Sequence, residues 1–252
     1  MAEFVVAPYL PKRAETVLIG EKYDDLLAKP LEKLGIAPLF VPDNPFVDSR
    51  LSGHTDLSCF HARGDRVWLA PHLRDTPFVS ALEKLGAKLS FADIVQDKSY
   101  PHDAQLNIAP VGSALIYNPK VSYLPAVDFL TSECGYTAVK VRQGYAKCSV
   151  LVVDERSIIT PDAGIARKAK GAGLDVLEIS PGGVALDGFE YGFLGGAGFK
   201  LSSTRLAFTG VLDYHPDKER ILSFLAARGI EPVYLTNKPV FDIGSVIPLT
   251  ER

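Results

Sequence analysis

The sequence predicts an α/β fold, a five-bladed propeller of repeated ββαβ units, and three observations carry that prediction. Five times a helix-like stretch closes on a glycine and runs into a short apolar strand: LEKLGIAPLFV (31–41), LEKLGAKLSFA (82–92), LTSECGYTAVK (130–140), AKGAGLDVLEI (169–179) and LAARGIEPVYL (225–235). Gly35, Gly86, Gly135, Gly173 and Gly229 lie about fifty residues apart on average, which reads as one supersecondary unit repeated, and glycine suits the cap that ends a helix. Between successive copies sits a pair of alternating or apolar runs joined by a turn, so each unit is a hairpin, a helix and one more strand. The chain ends share the fifth unit. AETVLIG, DDLLAKPLEKLG and IAPLFV supply a strand, a helix and a strand, and FDIGSVIPL at the other end supplies the missing first strand. Pairing the last strand with the first would close a ring and remove an exposed edge.

Along the chain the clearest hairpins are TDLSCFHA to RVWLAP across Arg63, Gly64 and Asp65, CSVLVV to SIIT across Asp154, Glu155 and Arg156, and GFKL to RLAFTG across Ser202, Ser203 and Thr204. Each is followed by a helix-start signal: Thr76 before Pro77, Asp162 after Pro161, and the cluster His215, Pro216, Asp217. The third unit reads less sharply, with QLNIAPVGSALIYN as its hairpin and a helix around VSYLPAVDFLTSEC. The even spread of the units predicts one domain over residues 1–252, and 47% hydrophobic side chains suffice for a large core.

A net charge of -3 without a basic cluster argues against a nucleic-acid partner. The absence of a basic leader or a long apolar run argues against a membrane and predicts a cytoplasmic protein. Cys59, Cys134 and Cys148 are an odd number without close pairing, so reduced thiols are expected.

At this point the chain resembles a known fold family. The five-unit ring, the length and a final glycine-containing strand are similar to the pentein, or guanidino-group-modifying enzyme, superfamily of arginine and agmatine deiminases, dimethylarginine dimethylaminohydrolase and amidinotransferases. Uncharacterised bacterial families of this fold are the ones it resembles most, through LDGFEYGFLGGAGFKL, LAFTG and DIGSVIPL.

In such a ring the first strand of each hairpin delivers its opening residues to a central pocket. The segments are GHTDLS, QLNIA, AKCSV, FLGGAG and DIGSV, with His54, Asp56, Gln105, Asn107, Lys147, Cys148, Ser149, Asp242 and Ser245 as polar candidates. His54 and Asp56, two apart on a predicted strand, face one side. GHTD looks like the proton-shuttling histidine and guanidinium-binding aspartate of the agmatine-deiminase type, although it lies in an earlier unit here; the alternative is a pair that fixes a loop. In hydrolytic penteins the C-terminal strand carries glycine, a small polar residue, an aliphatic residue, histidine and the nucleophilic cysteine. Gly244, Ser245 and Val246 match, but Ile247 and Pro248 fill the last two places, so that strand supplies no nucleophile.

Cys148 is the substitute thiol, either a nucleophile or a small core residue. If the 63–65 turn centres its hairpin, Asp56 and His72 fall nearly opposite with His54 beside them, a set that suits a divalent ion; no standard ligand spacing is present, and no metal or cofactor is assigned. The glycine-rich stretch from Pro181 to Gly198 reads as a lid or a tight structural loop, with Asp187 and Glu190 giving it negative character and Phe189, Tyr191 and Phe193 packing beneath it. The favoured reading is a polar pocket that binds a small cationic guanidino, amidino or amine compound. His54, Asp56 and Cys148 are its reactive candidates, and Asn107, Lys147, Asp187, Glu190, Asp242 and Ser245 its binding candidates. The rivals are a thiol-dependent enzyme using Cys148 and a non-catalytic scaffold resembling ribosome anti-association factors.

Overall fold

The computed structural model describes residues 3–252 and contains five separate small sheets. The N-terminal segment gives β1 (Glu3–Phe4), β2 (Ala14–Gly20), α1 (Asp24–Lys33) and β3 (Ala37–Val41). The second unit is α2 (Thr55–Ser58), β4 (Cys59–Arg63), β5 (Arg66–Leu69), α3 (Pro77–Leu85) and β6 (Lys88–Phe91). The third is β7 (Ala109–Val111), β8 (Ala114–Tyr117), α4 (Leu124–Asp128) and β9 (Thr137–Lys140), with α4 widening into a π-helical turn over Phe129–Glu133. The fourth is β10 (Leu151–Val152), β11 (Ser157–Thr160), α5 (Ala163–Gly171) and β12 (Asp175–Glu178). The fifth is α6 (Leu194–Ala197), β13 (Gly198–Ser202), β14 (Arg205–Phe208), α7 (Lys218–Ala226) and β15 (Glu231–Tyr234), and β16 (Ile247–Glu251) ends the chain.

One connectivity repeats. In each sheet a strand pairs antiparallel with the next, and that second strand pairs parallel with the strand after the helix. β16 takes the first place beside β2 and β3, so the two ends of the chain meet in one sheet, with β1 added at its edge. Each sheet is open, with a linear strand order. The middle strands β8 and β11 are buried throughout, whereas β6 and β9 keep exposed positions. That gradient fits a central strand flanked on both sides.

The five helix-ending glycines all have positive φ, from 65° at Gly229 to 96° at Gly86, where a side chain would be strained. Of the predicted caps, Asp162 accepts the amide of Ile165 at 2.8 Å, while Thr76 turns its hydroxyl back to the Leu73 carbonyl and leaves Pro77 to start α3. Apolar groups fill the space between neighbouring sheets. Leu151 and Ile159 pack with Leu206 and Phe208, Val17 and Ile19 with Phe199 and Ala207, and Phe60 and Trp68 with Leu115 and Tyr117.

The segments before the first strands depart from expectation. Asp56 lies in the helical turn α2 and His54 immediately before it, neither on a strand, and Ala146 to Ser149 form a turn that leaves only Leu151–Val152 extended. FLGGAG contains α6, and DIGSV stops short of β16. The cause at the last segment is visible in its backbone: Gly244 and Ser245 both have positive φ, 68° and 71°, which a strand cannot accommodate.

Candidate active site

Those pre-strand turns meet. Asp56 donates its amide to the Gly244 carbonyl at 3.0 Å, and Ser245 donates its amide to the Gly196 carbonyl at 3.1 Å, which ties three separate units together. Contact this close needs glycine. A Cβ on Gly244 would lie 2.2 Å from the His54 Cβ, and one on Gly196 would lie 1.9 Å from an Asp242 carboxylate oxygen.

Asp56 is the focus of the polar network. Its Oδ2 accepts from the Ser245 hydroxyl at 2.6 Å and from the Cys148 thiol at 3.0 Å. The thiol sulfur in turn accepts from Asn107 Nδ2 at 3.4 Å, and Asn107 Oδ1 accepts the amides of Lys147 at 2.6 Å and Cys148 at 3.2 Å, fixing that turn. Lys147 Nζ donates to the Gly195 carbonyl at 2.9 Å and to Ser245 Oγ at 3.1 Å, and lies 4.6 Å from the centre of the Tyr9 ring. All these side chains are buried. His54, Asp56 and Cys148 each offer a donor-type atom within 4.8 Å of the others. Among the described residues, His54 Nε2 and Asp56 Oδ1 have no hydrogen-bond partner.

Burial pushes the Cys148 thiol well above its ordinary range, and the Asp56 and Asp242 carboxylates push it further, so the resting thiol is protonated. Burial also raises Asp56, against the opposing pull of His54, the thiol, the Ser245 hydroxyl and Lys147. Burial lowers Lys147, and the neighbouring acids only partly offset it. The Lys147 ammonium points to Gly195 and Ser245, and the neighbouring thiol is raised, not lowered.

A cavity of about 410 Å³ opens on this network, with His54, Cys148 and Asp242 in its wall beside Tyr145, Tyr191 and Phe193. Asp56 stands behind the thiol and does not line it. Both carboxylate oxygens of Asp242 accept backbone amides, from Phe193 and Gly244, each at 2.8 Å. Glu190 reaches the cavity from the glycine-rich loop, while Asp187 lines only an adjoining cavity of about 560 Å³. His72 does not join the cluster. The observed hairpin register, Cys59 with Leu69 and Phe60 with Trp68, would extend to Asp56 and His72, but the strands end at Cys59 and Leu69 and His72 turns away in a 3₁₀ turn. For His54, Asp56 and Cys148 to serve a cation instead, the thiol proton now held by Asp56 would have to leave.

A family model described as "Family of unknown function (DUF6873)" matches residues 18–247. The chain belongs to this family. No curated protein matches it. Among solved structures it is similar to SxtG, an amidinotransferase of the saxitoxin biosynthetic pathway from Microseira wollei, at 12% identity over 98% of this chain and 97% of that one, with a TM-score of 0.59. It is similar also to the inosamine-phosphate amidinotransferase of Streptomyces griseus, at 11% identity, the same coverage and a TM-score of 0.60. The agmatine deiminase of C. jejuni with substrate bound aligns at 10% identity over 99% of this chain and 96% of that one, with a TM-score of 0.56. At these identities the likeness concerns the fold alone, which the chain shares with these two amidinotransferases and this deiminase.

Of the residues singled out from sequence, His54, Asp56, Asn107, Lys147, Cys148, Asp242 and Ser245 come together. Asp187 stands apart, Gln105 stays peripheral with its carbonyl accepting from Tyr123, and Ser149 is buried without a side-chain partner. Tyr145, Gln143 and Leu51 line the cavity unannounced, and Phe189, Tyr191 and Phe193, expected as packing beneath a loop, form part of its wall. The alternation of those three aromatics was the available signal; the nearness of Tyr145 to the KCS turn was another.

Proposed function

We propose that residues 1–252 form one domain in which the five units are blades of a ring, and that its hub binds a small cationic guanidino, amidino or amine compound on which Cys148 acts as nucleophile. The observation that carries this reading is the gathering of His54, Asp56 and Cys148 within 4.8 Å, with His54 and Cys148 in the wall of a 410 Å³ cavity and Asp56 behind them. The names of the structural neighbours, two amidinotransferases and an agmatine deiminase, support the substrate class.

The chemistry follows from the groups present. Asp242 and Glu190 give the cavity the negative character that draws a cation. A bound cation offsets the carboxylates that hold the thiol protonated, so the thiol proton passes to His54, whose Nε2 is free to take it. Sγ then attacks the amidino carbon and a C–S bond forms. The departing C–N bond breaks as His54 returns the proton to the amine. Water or an acceptor amine completes the cycle by attacking the same carbon, giving its proton to His54, which passes it to the sulfur as the C–S bond breaks. Asp56 and Asn107 hold the sulfur in place throughout.

The test is to incubate the protein with guanidino compounds, quench in acid and weigh the intact chain. An adduct that maps to Cys148, absent in Cys148→Ser, is expected. Turnover that survives unchanged in Cys148→Ala would overturn the nucleophile assignment.

A further inference from the structure

Resting on the reading above, we infer that the cavity selects cations that carry no carboxylate: alkylguanidinium, amidinium or amine compounds rather than guanidino acids or amino acids. The ionisable groups in its wall are His54, Cys148, Glu190, Asp242, Tyr145 and Tyr191, and among the described residues no lysine or arginine lines it. Phe189, Phe193, Leu51 and Leu186 make up most of the remainder, beside the rings of the two tyrosines. Such a wall favours an apolar stem ending in a positive group, by apolar burial and by attraction of a cation to ring faces.

The nearest cations do not remedy this. Lys147 is sealed behind the thiol turn, with its ammonium on the Gly195 carbonyl and the Ser245 hydroxyl. The adjoining cavity shares Leu186, Phe189, Glu190 and Asp242 and adds Lys22 and Arg50. Arg50 is occupied: Nε and one terminal nitrogen meet the Asp48 carboxylate at 2.9 and 2.6 Å, the other meets the Gly188 carbonyl at 2.7 Å, and the group stacks 4.2 Å above Phe189. Lys22 Nζ donates to the carbonyls of Ser49 at 3.1 Å and Arg50 at 3.3 Å. Against these two cations the adjoining cavity sets three carboxylates, Asp187, Glu190 and Asp242, besides Asp48 on Arg50. A ligand carboxylate would therefore lose water and meet like charge at either end of the space, whereas an apolar tail brings no charge to desolvate and a cationic one meets carboxylates that offset its lost hydration.

Matched pairs test this by isothermal titration calorimetry on full-length Cys148→Ser, which keeps the shape of the site and removes the proposed nucleophile. The pairs are agmatine with arginine, and butylguanidine with 4-guanidinobutyrate. Agmatine and butylguanidine are expected to bind at least about tenfold more tightly than their acids, and Glu190→Gln is expected to narrow that ratio. Equal affinity within each pair, or tighter binding of the acids, would overturn the selectivity while leaving a guanidino site in place. Failure of all four to bind would overturn the guanidino reading itself, and this inference with it.

Discussion

Replacing Asp56 by Asn tests whether that carboxylate restrains or activates the thiol. Cys148 donates to Asp56 Oδ2 at 3.0 Å, with both residues no more than 3% exposed. A hydrogen bond to a charged acceptor contributes about 1.5–3 kcal/mol, which corresponds to about one to two pH units in the titration of the donor. The amide removes the charge and can turn its NH₂ toward the sulfur. At pH 8 the thiolate fraction then rises about tenfold to a hundredfold. Nucleophilicity falls with thiol basicity at a Brønsted slope of about 0.4–0.5, so alkylation gains only about three- to tenfold. Iodoacetamide labelling of Cys148, followed by peptide mass between pH 7 and 9.5, measures this. Cys59, buried and pushed far up by burial, reports loss of the fold if it labels. Unchanged or slower labelling of Cys148 in a variant whose Cys59 stays protected would refute the reasoning and make Asp56 an activating base.

Three further outcomes are expected. His72 is held to about 4 by burial, below its ordinary 6.5, so its contribution to stability is complete above about pH 6.5 and is lost as pH falls toward 4. Linkage gives about 2 kcal/mol at pH 5, or about 1 kcal/mol after allowing for its partial exposure. Urea unfolding at pH 7 and 5 should cost the wild type that much more than His72→Gln, and equal losses would refute it. Gly244→Ala places a Cβ 2.2 Å from the His54 Cβ at a positive φ of 68°; a loss of about 3 kcal/mol is expected, seen as a melting temperature about 6–12 °C lower. Asp162→Ala removes the cap on the Ile165 amide and should cost about 1 kcal/mol, about 2–4 °C by differential scanning calorimetry.

The unit was legible because its signals are local. Glycine at a positive φ after each helix, a two- or three-residue turn in each hairpin and apolar runs between them are properties of consecutive residues, and Gly35, Gly86, Gly135, Gly173 and Gly229 all adopt the predicted backbone. The hairpin across Gly64 was legible as a hairpin, and its observed register matches the one that follows if the 63–65 turn is its centre, a condition the sequence alone does not fix. Where those strands stop was not legible, because the turn at Thr55–Ser58 is held from outside, by the carbonyl of Gly244.

By itself the sequence determined the repeated hairpin, helix and strand, the absence of a nucleophilic side chain at Ile247 and Pro248, and the polar residues that open each hairpin. Only the tertiary structure decided that Cys148 faces Asp56, 92 positions away, that Ser245 bridges Asp56 and Lys147, and that Asp187 falls outside the thiol-facing cavity. The physical reason is distance along the chain. Side-chain direction at these turns is set by glycine contacts and positive-φ backbone between units, and neither periodicity nor spacing encodes which of five turns a given carboxylate will meet.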